Sequence, residues 1–584
     1  MTGGSTFLNM LHPGFIMIIM GLVVLALPKR YSKGAYLAAP IMAFLSLLSV
    51  GANSSLVYRI SSELSANFIH SDNFTFIFLI AFCIVSVIAT IYSVGITDNK
   101  MEMAAGLVYA GSNMGVVLAG DCISLIVFWE LSALASCYIV YSRRTVKSAR
   151  VAFRYLLVHA FGGGMLLVGL LLYMYHFGNT LTNISTLTDM PTYWIIFIGV
   201  AVNAAIPPLN SWLPDAYPES TLGGTIFLAS FTTKSAMYLL VRLFAGSQWL
   251  VWVGAFMAIY GATMALMENN LRRLFSYHII SQLGFIIASL AVGGAWGIDG
   301  AAAHTFNNIM YKGTLLMCAG SVMYATGKKK ISELGGLGKK MPLTAACFLI
   351  ASCAISGVPF LNGFASKALI MHAVEHGGYK LVFWLLTAAS VGTWLSIALK
   401  VNYFVFWGKT GKDIKVEREL PINMKIGMVL GALSCVVTGL FPKLVYNITP
   451  FGTDGHPFTL EHIFEYIVLF IGATIVFFLF IKRMAPHDEI TLDFDWFYRR
   501  PFNSFILILS KGLHGFFQLF HDKVLAGVRN VAAHFNNPYL WTENSESEYI
   551  RTFSLDNEDH RVGSFINVNM FVLALILTIA ALMH

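Results

Sequence analysis

The sequence predicts an all-α polytopic membrane protein with about sixteen transmembrane helices. Three observations carry that expectation. Of the 584 residues, 57% are hydrophobic and 12% are charged, whereas soluble domains carry about 25% charged residues. A soluble chain of this length would need a larger single core than domains build. Apolar stretches of about 20 residues, enough to cross a bilayer core, follow one another from residue 12 to 481 and recur at 563–583. Basic residues gather on alternate loops, at Lys29/Arg30/Lys33, Arg143/Arg144/Lys147/Arg150, Arg272/Arg273, Lys328–Lys330 with Lys339/Lys340, and Lys409/Lys412/Lys415/Arg418. Positive loops stay inside, so both termini are expected to be extracytoplasmic.

The elements follow in order. Residues 1–100 hold spans 12–28, 35–53 and 73–97. The first is read as uncleaved, because no small-residue cleavage site precedes its basic cluster. Residues 101–246 hold spans 103–119, 122–141, 152–176, 192–208 and 221–245, and residues 247–410 hold 249–267, 273–294, 301–325, 342–372 and 380–406. Residues 411–482 add 423–445 and 461–481. Residues 483–562 carry an amphipathic helix from Asn503 to about Phe535 and a polar linker, and residues 563–584 the last span. The amphipathic helix places Leu509, Leu513, Phe516, Phe520, Val524 and Val531 at helical spacing. It would lie on the cytoplasmic surface or on a neighbouring subunit, and its length of about 50 Å reaches an adjacent subunit.

Two spans contain breaks. Proline has no amide donor and clashes with the preceding turn, yet Pro207 and Pro208 stand side by side in the seventh span. Ile206-Pro207-Pro208-Leu209-Asn210-Ser211-Trp212 matches Val358-Pro359-Phe360-Leu361-Asn362-Gly363-Phe364 of the twelfth, 152 residues on. An offset of five spans reverses direction in the membrane. Spans 4–8 and 9–13 therefore read as two inverted five-helix repeats, each with a broken helix, a device transporters use for ion sites.

Ionisable side chains inside spans are costly and default to function. Glu130 stands mid-span five, Lys234 mid-span eight, His304 and Lys312 on one face of span eleven, and Lys367 after the second break. Lys400, near the end of span thirteen, has a stem long enough to snorkel outward. A row of titratable groups with amides and hydroxyls between them is what a proton path requires, each group's state depending on its neighbour's charge. The seven cysteines lie singly in apolar stretches, without metal spacing. No phosphate loop, cofactor motif, metal site or nucleic-acid motif appears. The glycines at 162–164 read as a close-packing surface of span six.

At these residues the chain resembles the antiporter-like subunits of the complex I and Mrp-type cation/proton antiporter superfamily. Within it the chain is nearest to the D-type subunits of Mrp-type Na+/H+ antiporters. The matching stretches are FWE at 128–130, WLPDAY at 212–217, RRLFSYHIISQLGF at 272–285 (with His278), ISELGGLGKKMPLT at 331–344, SGVPFLNGFASK at 356–367 and LDFDWFYRRP at 492–501. The resemblance implies a proton path through Glu130, Lys234, His304, Lys312 and Lys367. It puts Arg272 where many relatives have lysine. It also puts Asn203 where they have the lysine of the broken seventh span, and Asn308 where they have a second histidine. With no lysine at 203, either Lys234 takes over as the partner of Glu130, the favoured expectation, or the first half-channel is inactive. The implied function is cation (Na+)/proton exchange by one component of a hetero-oligomeric complex in the bacterial inner membrane. Alternatives are a proton pump or channel coupled to a redox module or to a solute (inorganic carbon) uptake partner, and a non-conducting scaffold. Whether the chain serves an enzyme depends on that partner.

Overall fold

The computed structural model describes residues 12–51, 54–59, 65–408, 414–453, 455–487, 503–536 and five positions between 493 and 501. The span expected at 563–583 and the polar linker before it lie outside the described residues. The chain divides into residues 1–496 and 497–584.

The first unit is helical from α1 (Pro13–Ala26) and α2 (Lys29–Val50) onward. One departure from the all-helical expectation follows. Strands β1 (Ser55–Arg59) and β2 (Ser65–His70) form an antiparallel hairpin between α2 and α3 (Asn73–Ser93). Their Val, Tyr, Phe and Ile residues suit a strand, and Asp121 accepts the Asn67 amide while capping α5 through Ser124 N at 2.7 Å. Helices α4 (Lys100–Leu118), α5 (Cys122–Tyr141), α6 (Val146–Phe177) and α7 (Pro191–Asn203) lead to α8 (Trp212–Glu219), α9 (Leu222–Ser230) and α10 (Thr232–Phe244). Then come α11 (Trp249–Met267), α12 (Leu271–Val292), α13 (Gly294–Thr326), α14 (Pro342–Ser356), α15 (Asn362–His376) and α16 (Lys380–Thr393). The last continues as a π-helical stretch, Trp394–Trp407. Helices α17 (Ile422–Leu440), α18 (Lys443–Tyr446), α19 (Leu460–Leu479) and α20 (Ile481–Met484) complete the unit.

Among the described residues, ten helices are long and apolar enough to cross a membrane, and α1, α7 and α14 are shorter apolar helices. Their outward faces are apolar: Phe153, Leu157, Phe161 and Leu171 of α6 are exposed, as a hydrocarbon surround requires. By contrast α12 and the α9–α10 pair are buried around nearly their whole circumference. They form the inside of the bundle, where the polar side chains collect.

Both sequence breaks are structural breaks, and a third lies at Phe231 between α9 and α10. Helix α7 stops at Asn203. Ala205 adopts a left-handed turn (φ 51°), and the Trp212 indole donates to Val202 O at 2.8 Å, a carbonyl that also accepts the Ala205 amide at 3.1 Å. Helix α14 ends at Gly357 (φ 94°), with Phe360 also left-handed (φ 69°), the usual closure of a helix C-terminus. Gly363 sits so near Ala354 O that a β-carbon there would overlap it.

The second unit contains one described element, α21 (Asn503–Asn536), of 34 residues. It covers the amphipathic stretch and extends about 51 Å. Phe505, Leu509, Leu513, Phe516 and Phe520 are exposed.

Candidate ion path

In the second half of the bundle, His304 is fully buried on α13 and engaged on both ring nitrogens. Nδ1 meets Ser366 Oγ at 2.9 Å, and Nε2 meets Gln282 Oε1 at 3.2 Å and Tyr311 OH at 3.3 Å. Ser366 adjoins Lys367, and Tyr311 adjoins Lys312. One imidazole therefore links the turns that carry two buried lysines. Lys367 Nζ folds back on the end of α14, donating to Ile355 O at 3.0 Å, Ser356 O at 3.1 Å and Ser390 Oγ at 3.2 Å, and lies 4.8 Å from the centre of the Phe285 ring. Lys312 is held more loosely, its nearest acceptor being Phe275 O at 3.4 Å. Both side-chain atoms of Asn308 are buried without a hydrogen-bond partner. Such atoms are where internal water binds. His278 Nε2 meets Ser396 Oγ at 2.8 Å.

Lys400 does not snorkel. It is 2% exposed and turns inward, donating to Leu266 O at 2.6 Å and Glu268 O at 2.9 Å at the end of α11. The π-helical winding of its segment rotates the side chain off the lipid face. Arg272, 4% exposed, donates to Pro218 O, Ser220 O, Ser220 Oγ and Thr221 O at 2.8–3.0 Å. It clamps the α8–α9 turn with its fork of donors.

In the first half, Lys234 is fully buried. It donates to Ala229 O at 2.6 Å, the carbonyl end of α9, and to Thr233 Oγ1 at 3.1 Å. Glu130 is half-buried between α5 and α6. Its carboxyl lies where a side chain on Gly163 would begin. The ion pairs among the described residues do not include Glu130, Lys234, Lys312, Lys367 or Lys400. The expected direct pair of Glu130 with Lys234 is thus not formed. The ammonium is drawn instead to the free carbonyls at the Phe231 break. Asn203, 6% exposed, lies against the ring of His159 on α6.

Several side chains that touch these residues carry no mark in the sequence: His159, Gln282, Tyr311, Ser366 and Ser390, together with a hydroxyl cluster near Lys234. In that cluster Tyr109 meets Thr232, and Asn113 joins Ser132 (2.8 Å) to Ser235 (2.7 Å). Polar residues recurring on the buried faces of α4 and α12 are the available signal. Two cavities flank the row. One of about 260 Å³ is lined by His70, Asp121, Tyr238 and Arg242. The other, of about 370 Å³, is lined by Ala368, His372, Glu375, His456, His462 and Glu465. It begins next to Lys367.

Fold and site together define a multi-pass helical membrane protein with broken helices around a buried row of basic side chains. Residues 119–396 match the transmembrane family described as NADH:quinone oxidoreductase/Mrp antiporter. It is 28% identical over 489 residues to the A-type component of the Na(+)/H(+) antiporter of Alkalihalophilus pseudofirmus, covering 75% of this chain and 59% of that one. It is 28% identical over 434 residues to the fused A/B-type component of a probable K(+)/H(+) antiporter of Rhizobium meliloti, covering 69% and 43%. It is 29% identical over 367 residues to the N-type component of the NADH-quinone oxidoreductase of Desulforudis audaxviator, covering 57% and 73%. The chain therefore spans about half the length of the two antiporter components. In fold it resembles a chain of the Mrp complex from Dietzia sp. DQ12-45-1b (TM-score 0.63, 18% identity, 78% of this chain and 95% of that one). It also resembles a chain of the membrane-bound sulfane sulfur reductase, an archaeal respiratory membrane complex (TM-score 0.66, 23% identity, 79% and 98%).

Proposed function

We propose that the chain is a proton-translocating, antiporter-like subunit of a multisubunit membrane complex, exchanging Na+ for protons. The observation that carries this is His304, hydrogen-bonded on one ring nitrogen to Tyr311, the sequence neighbour of Lys312, and on the other to Ser366, the sequence neighbour of Lys367. Imidazole takes a proton on one nitrogen and releases it from the other, so the row Lys312–His304–Lys367 works as a relay. In this reading its exit is the 370 Å³ cavity whose lining includes Ala368, the residue after Lys367. Lys234 feeds it from the first half, with Glu130 at the far end. Arg272, Asn203, Asn308, His278 and Lys400 hold or hydrate the row.

The arrangement in this reading has sixteen spans, inverted repeats over spans 4–8 and 9–13, both termini extracytoplasmic, and α21 against the cytoplasmic surface or a neighbouring subunit. The paired breaks, α7–α8 and α14–α15, support the repeats. In this reading the segments divide at residues 100, 246, 410, 482 and 562. Other membrane subunits are the partners. A second reading, a pump component driven by a redox module, is favoured by the likeness to the NADH-quinone oxidoreductase component.

The test is at Lys312. In reconstituted complexes, Lys312→Ala abolishes Na+-dependent proton movement while assembly stays intact. Lys312→Arg also largely fails, because guanidinium keeps its proton. Wild-type transport by the arginine variant would show a fixed charge and refute the relay. Proton movement that ignores Na+ would favour the redox-driven reading.

A further inference from the structure

His159 is a buried titratable side chain that the path described above does not use. It is 1% exposed. Its ring lies 4.0 Å from that of Tyr155 and 4.6 Å from that of Trp212, centre to centre. Aromatic packing on two sides is ordinary for a core histidine. The edge of the ring is not. The ring Nε2 and the Oδ1 of Asn203 are both buried without a hydrogen bond of good geometry, although the Asn203 side chain lies within hydrogen-bonding reach of the imidazole. Polar atoms without a good hydrogen bond at such depth are costly, and at a helix break a water or a proton would satisfy both.

Glu130 supplies the second observation. Its carboxyl rests over Gly163, which is one helical turn from His159 on the same face of α6, a rise of about 6 Å. Among the described residues no ion pair reaches Glu130. Every element packed around His159 contributes known groups. From α5 there is Glu130. On α6 itself there are Tyr155 and Arg154, and from α8 Asp215 and Tyr217, with Arg154 and Asp215 paired at 3.5 Å. From α7 there is no charged side chain, only the amide of Asn203. The imidazole is thus the basic group placed between the carboxyl of Glu130 and the break after Asn203.

We propose that His159 is the proton-exchanging partner of Glu130 and does the work of a cation in the seventh span. The imidazole accepts the Glu130 proton, directly or through one water, leaving an imidazolium and a carboxylate. It then releases one proton toward the break and returns to neutral. Onward, the hydroxyl of Tyr155 donates to Ser136 at 3.0 Å and faces Thr232, the first residue of α10, two positions before Lys234. One proton enters and one leaves, and no other reactant is needed.

This inference rests on the proton-translocating reading, so its test carries a control for that reading. Four forms of the whole complex are reconstituted and their proton flux compared: wild type, Lys312→Ala, His159→Gln, and His159→Gln with Asn203→Lys. Glutamine keeps bulk and hydrogen bonding but carries no proton at this site. Loss of about tenfold or more in flux is expected for His159→Gln, with assembly and melting temperature as in wild type. Because position 203 faces the ring, a lysine there brings an ammonium into the space the imidazole occupied, and the double variant recovers flux. A packing role would not be rescued this way. Wild-type flux in His159→Gln, or a loss that Asn203→Lys does not restore, overturns the inference while wild-type conduction and an inactive Lys312→Ala leave the general reading standing. No proton movement by the wild-type complex overturns both.

Discussion

Three consecutive glycines of α6, Gly162 to Gly164, form a matched set for separating packing from function. A β-carbon at Gly162 would meet Val202, at 2.9 Å from its Cβ. One at Gly163 would meet the Glu130 carboxyl, with Cδ at 2.9 Å, and one at Gly164 would meet nothing within 4 Å. Gly164→Ala therefore stabilises the helix by about 1 kcal/mol through propensity alone. Gly163→Ala has the same gain, set against pushing a flexible side chain. Oε1 lies nearest of all, so the carboxyl must retreat by about 1.5 Å to reach ordinary contact, and an off-rotamer torsion costs about 0.5–1.5 kcal/mol. Net stability should thus stay within about 1 kcal/mol of wild type. Transport is far more sensitive, since a displacement near 1 Å can cost as much as about a hundredfold in a positioned reaction. Melting curves and proton-flux rates of the two variants decide the matter. We expect both to fold, Gly164→Ala to transport normally, and Gly163→Ala to lose about tenfold. Equal flux in the two would mean that the carboxyl position is irrelevant, and with it the place of Glu130 on the path.

Two further outcomes test the frame around the path. Arg242 donates to Asp72 at 2.6 Å where Asp72 caps α3. Burial pushes this carboxyl upward, but the guanidinium and the amide of Thr75 outweigh it and hold it below its ordinary value of 3.8. A depressed carboxyl stabilises the fold above its ordinary range and ceases to as pH falls through the folded value. Asp72→Asn should therefore cost about 1 kcal/mol at neutral pH and nothing in strong acid. Equal melting temperatures at pH 7 would refute the contribution. For sidedness, single cysteines at Glu419, whose side chain is 91% exposed, and at exposed Thr182 should react with impermeant reagents from the cytoplasm and from outside, respectively. Labelling from one side only would break the alternating arrangement.

Much of this fold is legible in the sequence because a bilayer allows few choices. Apolar length gives the helices, and Pro207, Pro208 and Pro359 announce two of the breaks. The break at Phe231 has no proline to announce it and arises where Lys234 needs a carbonyl. The hairpin at 55–70 leaves no such mark, because two short strands are not a long apolar run. At the site, charge in an apolar stretch points to Glu130, Lys234, His304, Lys312 and Lys367. It does not point to their partners. An outward Lys400 follows from its long stem near the end of a span, and in the π-helical stretch the ammonium instead meets the carbonyls of Leu266 and Glu268. A pair of Glu130 with Lys234 follows from the family resemblance, and an ammonium satisfied by backbone carbonyls does not require a carboxylate. His159 has the sequence surroundings of an ordinary core residue, and only the placement of Asn203 and Gly163 around it says otherwise.

Lys234 on the end of α9, Lys367 on the end of α14 and Lys400 on the end of α11 share one geometry: each ammonium is the stopper of a helix terminus. A terminus held by a cation gains about 0.3–1 kcal/mol, and up to about 2 kcal/mol when sheltered. An ammonium that surrenders its proton weakens that hold, and the freed carbonyls must find water or shift. Ionisation and backbone position become a single variable, like a pawl that lifts when its weight is removed. The field of the loosened dipole also changes for the next cation in the row. Discharge at one stopper would then alter the retention of charge at another without any carboxylate between them, turning a bundle of helices into a train of electromechanical catches.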